Sequence, residues 1–228
     1  MTLALFAGAC KNRAMIPTHV IRDPQSPSEE RFNFLTHGFA LVFSLIGLGA
    51  MLVLAGQRDL STLAACAVYG ISLVILFATS TFYHACALGS VKSTARILDH
   101  CAIPILIAGS YTPLMVLALG HDWRGWSVLL AVWAMAAYGI RHKFTSSDPF
   151  GAASVVLCLV MGWLVVLVWH PLVACAPGAV GWLVAGGVAY TAGVPFYAWS
   201  KLPYNHGIWH LFVMAGAACH YVAVLKLL

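Results

Sequence analysis

The sequence predicts an all-helical membrane protein, a seven-helix transmembrane bundle with its N-terminus in the cytoplasm and its C-terminus outside. Three observations lead there. Of 228 residues, 61% are hydrophobic and only 8% are charged, against about 25% charged in an average soluble domain. The mean hydropathy is +0.89. Seven apolar runs follow one another, each close to the roughly 20 residues that a helix needs to cross a bilayer core of about 30 Å. A soluble enzyme, a coiled coil and a disordered tail are excluded, because 12 basic and 7 acidic residues cannot keep so apolar a globule in water. The basic residues are dispersed between apolar runs and form no patch, so no nucleic-acid partner is expected.

The runs lie at about Asn33–Gly56, Ser61–Ala85, Ala95–Leu119, Trp123–Ile140, Phe150–Trp169, Ala179–Trp199 and His206–Leu227. They are apolar all round, whereas transmembrane β-strands alternate over about ten residues. Pro104, Pro113 and Pro195 fall inside spans and should kink them. Gly181, Gly186, Gly187 and Gly193 in the sixth run suggest close contact with a neighbouring helix. Residues 1–25 read as a poorly ordered tail and residues 26–228 as the helical domain. The apolar stretch Thr2–Cys10 is short and has no basic residue before it, unlike a signal peptide. Ser26-Pro27-Ser28-Glu29 fits an N-cap, a proline at the first helical position and a capping-box glutamate, so the first helix should begin near Pro27.

Sidedness follows from Lys and Arg. Nine of the twelve lie on one side: Lys11, Arg13, Arg22 and Arg31 in the N-terminal segment, and Lys92, Arg96, Arg141, Lys143 and Lys201 in the loops after the second, fourth and sixth spans. Arg58, Arg124 and Lys226 lie on the other. The positive-inside rule therefore places the N-terminus in the cytoplasm of a multi-pass plasma (inner) membrane protein. An odd number of spans sends the C-terminus outside. The seven cysteines include no CxxC and read as small core residues, not as a disulfide framework or thiolate metal site.

On this topology, polar residues gather at one depth. His84 closes the second span on the cytoplasmic side. Asp99 and His100 open the third there, His206 and His210 open the seventh, and Asn33, Thr36 and His37 open the first. Chain order did not require this. His206 and His210 are i and i+4 on one helix face, about 6 Å apart along the axis, the spacing by which a helix offers two imidazoles to one metal. Ser80 and His84 share that spacing. Simpler alternatives stand beside this reading. They are a pair of interfacial histidines, an Asp99 ion pair with Arg96 on the same face, and a Ser80 bonded to its own backbone. His121 and His170 read as interfacial residues. His220, about 15 Å deeper than His210, reads as an interhelical hydrogen-bonding residue.

The chemical reading of the gathered set is a zinc site. Three imidazoles with an open position suit catalytic zinc, hard cations want oxygen cages that this chain lacks, and other first-row metals remain compatible. Asp99, the only acid within a span, could hold the activated water, accept its proton or be a fourth ligand. Ser80 could orient a neighbouring group or donate to an oxyanion.

Glu29-x3-Asn33-x2-Thr36-His37, Ser80-Thr-Phe-Tyr-His84, Leu98-Asp99-His100, Ala108-Gly-Ser-Tyr-Thr-Pro113, and His206-Gly-Ile-Trp-His210 with His220 together resemble the hemolysin III family. This is the bacterial branch of the progestin and adipoQ receptor superfamily, which includes the adiponectin receptors. The resemblance runs from about Glu29 to the end of the chain. It implies seven helices, a cytoplasmic N-terminus and an intramembrane zinc near the cytoplasmic face. It further implies His84, His206 and His210 as zinc ligands, Asp99 as the carboxylate near the zinc water, and Ser80 as the serine of the serine–histidine motif. The receptor branch is similar to ceramidases, so the expected activity is zinc-dependent hydrolysis of lipid amides, with membrane lipids as the source of substrate. The alternatives are a membrane sensor with structural zinc and a haemolytic pore. A pore would want a polar stripe along several helices, where this sequence gathers polarity at one level.

Overall fold

The computed structural model describes residues 25–87 and 89–228, so the expectation for the N-terminal tail lies outside the described residues. Eight α-helical segments make seven rods: α1 Pro27–Ala55, α2 Leu60–Ala85, α3 Ser90–Pro113, α4 Trp123–Thr145, α5 Ala152–Trp163, α6 Trp169–Cys175, α7 Pro177–Ala198 and α8 Asn205–Leu225. Six rods among the described residues are long and apolar enough to cross a membrane. Trp123–Thr145 is not among those six. It carries Arg124 at one end and Arg141, His142 and Lys143 at the other.

Helix starts follow local chemistry. Ser26 Oγ accepts from Glu29 N at 3.3 Å while Glu29 Oε2 accepts from Ser26 N at 2.9 Å, which is the expected capping box with Pro27 at the first position. Asp59 caps α2 by accepting from Thr62 N at 2.9 Å, and bonds from Ser61 and Thr62 hold its carboxyl down to about 2. Asp122 caps α4 through Arg124 N at 2.9 Å.

Two rods change their winding midway. After Pro113 the third continues as a π-helical turn, Leu114–Ala118. The fifth passes from α5 through a 3-10 segment, Leu164–Val168, into α6. Tyr111 joins the two: its hydroxyl donates to Gly162 O at 2.9 Å and accepts from Val165 N at 2.8 Å. A transmembrane helix must satisfy every backbone group internally or through a neighbour, and here one phenol serves a carbonyl and an amide on either side of the junction where α5 passes into the 3-10 segment.

Large apolar side chains such as Leu35, Ile46, Val53, Leu130 and Leu167 point outward, as a lipid-facing surface requires. Small residues carry the inner contacts. A Cβ on Gly186 would strike the His220 ring and lie 3.1 Å from Gly216 O, and one on Gly193 would lie 2.7 Å from Phe212 and Trp209 side-chain atoms. These two glycines bring α7 onto α8 as expected; Gly187 makes ordinary contact with Trp163, and Gly181 faces open space. Gly186→Ala is expected to lower stability by about 1–3 kcal/mol through overpacking, read as a lower Tm of the purified protein.

Among the described residues the six cysteines are free, with Cys66 and Cys101 buried and Cys175 exposed. His121 and His170 are exposed at helix ends.

Candidate metal centre

Three helices meet at the end of the bundle where α1 begins. α2 delivers His84 from its last turn, and α8 delivers His206 and His210 from its first two. Their nearest ligand nitrogens all lie within 4.8 Å of one another, and all three residues are buried. Ring centroids stand 5.1 Å apart for His84 and His206, 5.0 Å for His84 and His210, and 4.6 Å for His206 and His210. The i, i+4 spacing on α8 thus puts two imidazoles on one face, and α2 supplies the third from 122 residues earlier in the chain.

Tautomers follow from the hydrogen bonds. His84 Nδ1 donates to Glu30 Oε2 at 2.7 Å, and its buried Nε2 has no hydrogen-bond partner among the described residues. The Thr36 hydroxyl spends its one proton on Asn33 O at 3.0 Å, so toward His210 Nδ1, 3.2 Å away, it accepts. His210 therefore also carries its proton on Nδ1. In both rings the proton on Nδ1 leaves the lone pair on Nε2, and that of His84 is buried without a partner among the described residues. An orphaned buried lone pair costs free energy unless something accepts it, and neutral imidazole is the ligand form that zinc and related ions take. The donor set fits a metal ion.

A surrounding shell orients the three ligands. Glu30 Oε1 also receives Lys92 Nζ at 2.9 Å, so this carboxylate is fixed between an ammonium and an imidazole. His37 stacks on His210 with centroids 3.4 Å apart and planes 8° from parallel. Glu29 leaves its capping box with one oxygen free, and Oε1 accepts from Tyr204 N at 2.8 Å. Tyr204 sits in the left-handed region at φ 55 just before α8, so the carboxylate holds a strained residue two positions from His206. Gly207 allows this approach: a Cβ there would collide with the Phe32 ring and lie 2.9 Å from Asn33 Oδ1. Outer-shell carboxylates on metal-binding histidines are worth about 10–100-fold in affinity. Glu30→Gln is expected to weaken metal binding by that factor with the helical content intact, read by competition with a chromogenic chelator.

Asp99 and Ser80 are buried and line, together with His37, His206 and His210, one cavity of about 160 Å³. Ser80 differs from its neighbours. Ser72, Thr79 and Thr81 return their hydroxyls to backbone carbonyls of the preceding turn, whereas the buried Ser80 Oγ makes no such bond. His100 sits on another wall, its ring 4.5 Å from Phe150. His220 lies at the far end, its ring 5.4 Å from Tyr190. The cavity between is walled by apolar side chains such as Leu106, Ile107, Leu159 and Val213. Of the polar residues singled out in the sequence, His84, His206, His210, His37 and Thr36 are brought together; Ser80, Asp99, His100 and His220 line the cavity onto which His206 and His210 open. Glu30 was not singled out. Its signal was a second glutamate directly after a capping glutamate, with no capping duty of its own.

Fold and site together define a multi-pass helical protein of the plasma membrane with a buried three-histidine cluster. The chain belongs to the haemolysin III-related family, whose match covers residues 25–221. It is 37% identical over 206 residues to hemolysin-3 of Bacillus cereus, spanning 90% of this chain and 94% of that one. It is 35% identical over 199 residues to the hemolysin-3 homolog of Bacillus subtilis, spanning 86% and 93%. To the human monocyte to macrophage differentiation factor it is 31% identical over 214 residues, spanning 88% and 84%.

Proposed function

We propose that the protein is a zinc-dependent intramembrane hydrolase acting on lipid amides. One observation carries the reading: a buried three-histidine cluster opens through His206 and His210 onto a largely apolar cavity that the Asp99 carboxyl and the Ser80 hydroxyl also line. His84, His206 and His210 would hold the ion. Bound there, zinc supplies Lewis acidity, lowering the pKa of water toward 7 and polarising a carbonyl. The chain's own residues do the rest. Glu30 fixes the His84 ring, Thr36 fixes that of His210, and His37 supports His210 from behind. Asp99 takes a proton on its carboxylate and returns it to the leaving amine. Ser80 donates to Asp99 or to the developing oxyanion. The apolar walls exclude bulk water and accept an acyl chain. With the N-terminus cytoplasmic, the cluster lies near the inner leaflet, and membrane lipids are the substrate source.

The experiment is metal analysis and turnover on the purified full chain. About one zinc per chain is expected, with release of fatty acid from a lipid-amide panel that stops on chelation and resumes on adding zinc. Stoichiometric zinc with no turnover across a broad panel would sink the hydrolase reading. It would leave the alternative in which the ion ties α2 to α8 as part of a membrane sensor.

A further inference from the structure

The metal centre does not use Lys143. The basic-residue count treats it as a loop residue, yet it sits in the last turn of α4 and is only 5% exposed. Its ammonium donates to Pro149 O at 2.7 Å and to the Ser154 hydroxyl. No carboxylate lies within 4 Å of it among the described residues: Glu30 and Asp122 are engaged elsewhere, Asp148 is exposed and acts on it only from farther away, and Asp99 is not a partner. A second cation is nearby. The Arg96 guanidinium stands 4.1 Å from the centroid of the Phe150 ring, and Lys143 Nζ is 5.3 Å from the same centroid. Two positive groups therefore share one aromatic ring.

Burying an ammonium without a counter-charge costs several kcal/mol, and two neutral acceptors meet only part of that cost. A structural tie between α4 and α5 could be made by a neutral donor. A positive charge kept at this place indicates that a negative one arrives. Lys143, Phe150 and Ser154 line the same cavity as His206 and His210. That cavity extends along α8 past Val213 to His220, about 15 Å from His210 at 1.5 Å per residue.

We propose that this cavity binds an anionic amphiphile, its carboxylate or phosphate on Lys143 and its alkyl chain along the apolar walls. This deepens the hydrolase reading by naming a substrate class, a lipid amide whose polar part carries an anion. It rests on that reading only for the word substrate, because binding can be read without turnover. A neutral amide lipid would leave the Lys143 charge unmet.

The test uses the full chain in nanodiscs of neutral lipid, stripped of metal so that no ion holds the anion. Dodecyl phosphate, dodecanoate and dodecanol are compared as ligands, with inorganic phosphate to separate a lipid head from a free anion. Both anionic amphiphiles are expected to bind about tenfold or more tighter than dodecanol, the scale of one charge-assisted hydrogen bond. Inorganic phosphate alone should bind far more weakly than dodecyl phosphate. Lys143→Met should erase the preference for the anion while still binding dodecanol, and Lys143→Arg should keep it. A purely structural lysine would lower Tm on substitution without changing that selectivity. Equal binding of dodecanol and the anions by the wild type overturns the proposal even if Lys143→Met does not fold. So does a preference that survives Lys143→Met, or inorganic phosphate binding as tightly as dodecyl phosphate. Amide turnover is scored separately on zinc-loaded protein, so its absence would end the hydrolase reading and leave the anion site standing.

Discussion

Replacing His210 with alanine is expected to abolish stoichiometric metal binding and to erase the effect of chelation on thermal stability. His210 is the most buried of the three, at 1% exposed. It is also the one most firmly placed from outside, by the Thr36 hydroxyl at 3.2 Å and the stacked His37 ring at 3.4 Å. A ligand already aligned forfeits little entropy on binding, so its loss weakens the site by more than the 10–100-fold that an outer-shell partner is worth. The remaining pair, His84 and His206, offers two donors from two helices. A metal that binds only the folded state at a thousand times its Kd adds about 4 kcal/mol of stability. For a chain of this size that is on the order of 10 °C in Tm. The wild type should lose this increment on chelation. His210→Ala should melt at one temperature with or without chelator, and metal analysis should find well under one ion per chain. Retention of one ion per chain would remove His210 from the site.

Asp99→Asn is expected to lower lipid-amide turnover by about 10²–10⁴-fold, the usual worth of a general acid–base group, while keeping metal content and Tm. Asparagine preserves the size and hydrogen-bonding shape of the side chain but cannot take up a proton. Asp99 is buried in the first half of α3, on the wall of the cavity that His206, His210 and Ser80 also line, so a loss confined to turnover assigns it to proton transfer. A parallel loss of bound metal would make it a fourth ligand instead. Unchanged turnover would place the proton carrier elsewhere. The comparison is made at equal zinc loading so that the two outcomes separate.

Helix starts and spacings were legible in the chain itself. The capping box at Ser26 and Glu29 starts α1 where the sequence places it. The i, i+4 interval between His206 and His210 puts both rings on one face of α8. Gly186 and Gly193 mark the seam between α7 and α8. All of these depend on residues within a few positions of each other, or on the absence of a side chain. The division of the fifth rod was not legible, since Leu164–Val168 is as apolar as the segments flanking it. Its winding answers to Tyr111, 51 residues away from Gly162. Charge counting misread Lys143 because it scores which side of the membrane a lysine occupies and not which way its ammonium turns.

By itself the sequence determined that this protein lives in a membrane, how many helical rods it makes and at what level its polar residues gather. Those are consequences of apolar run length and of the 1.5 Å rise per residue. The tertiary structure decided which polar residues meet. Helix rotation and packing put Glu30 on His84 across 54 residues, Thr36 and His37 on His210 across more than 170, and Lys143 inside the cavity instead of in a loop. A contact between helices depends on the azimuth of each one, and azimuth is set by every side chain packed between them, which no local stretch of chain encodes.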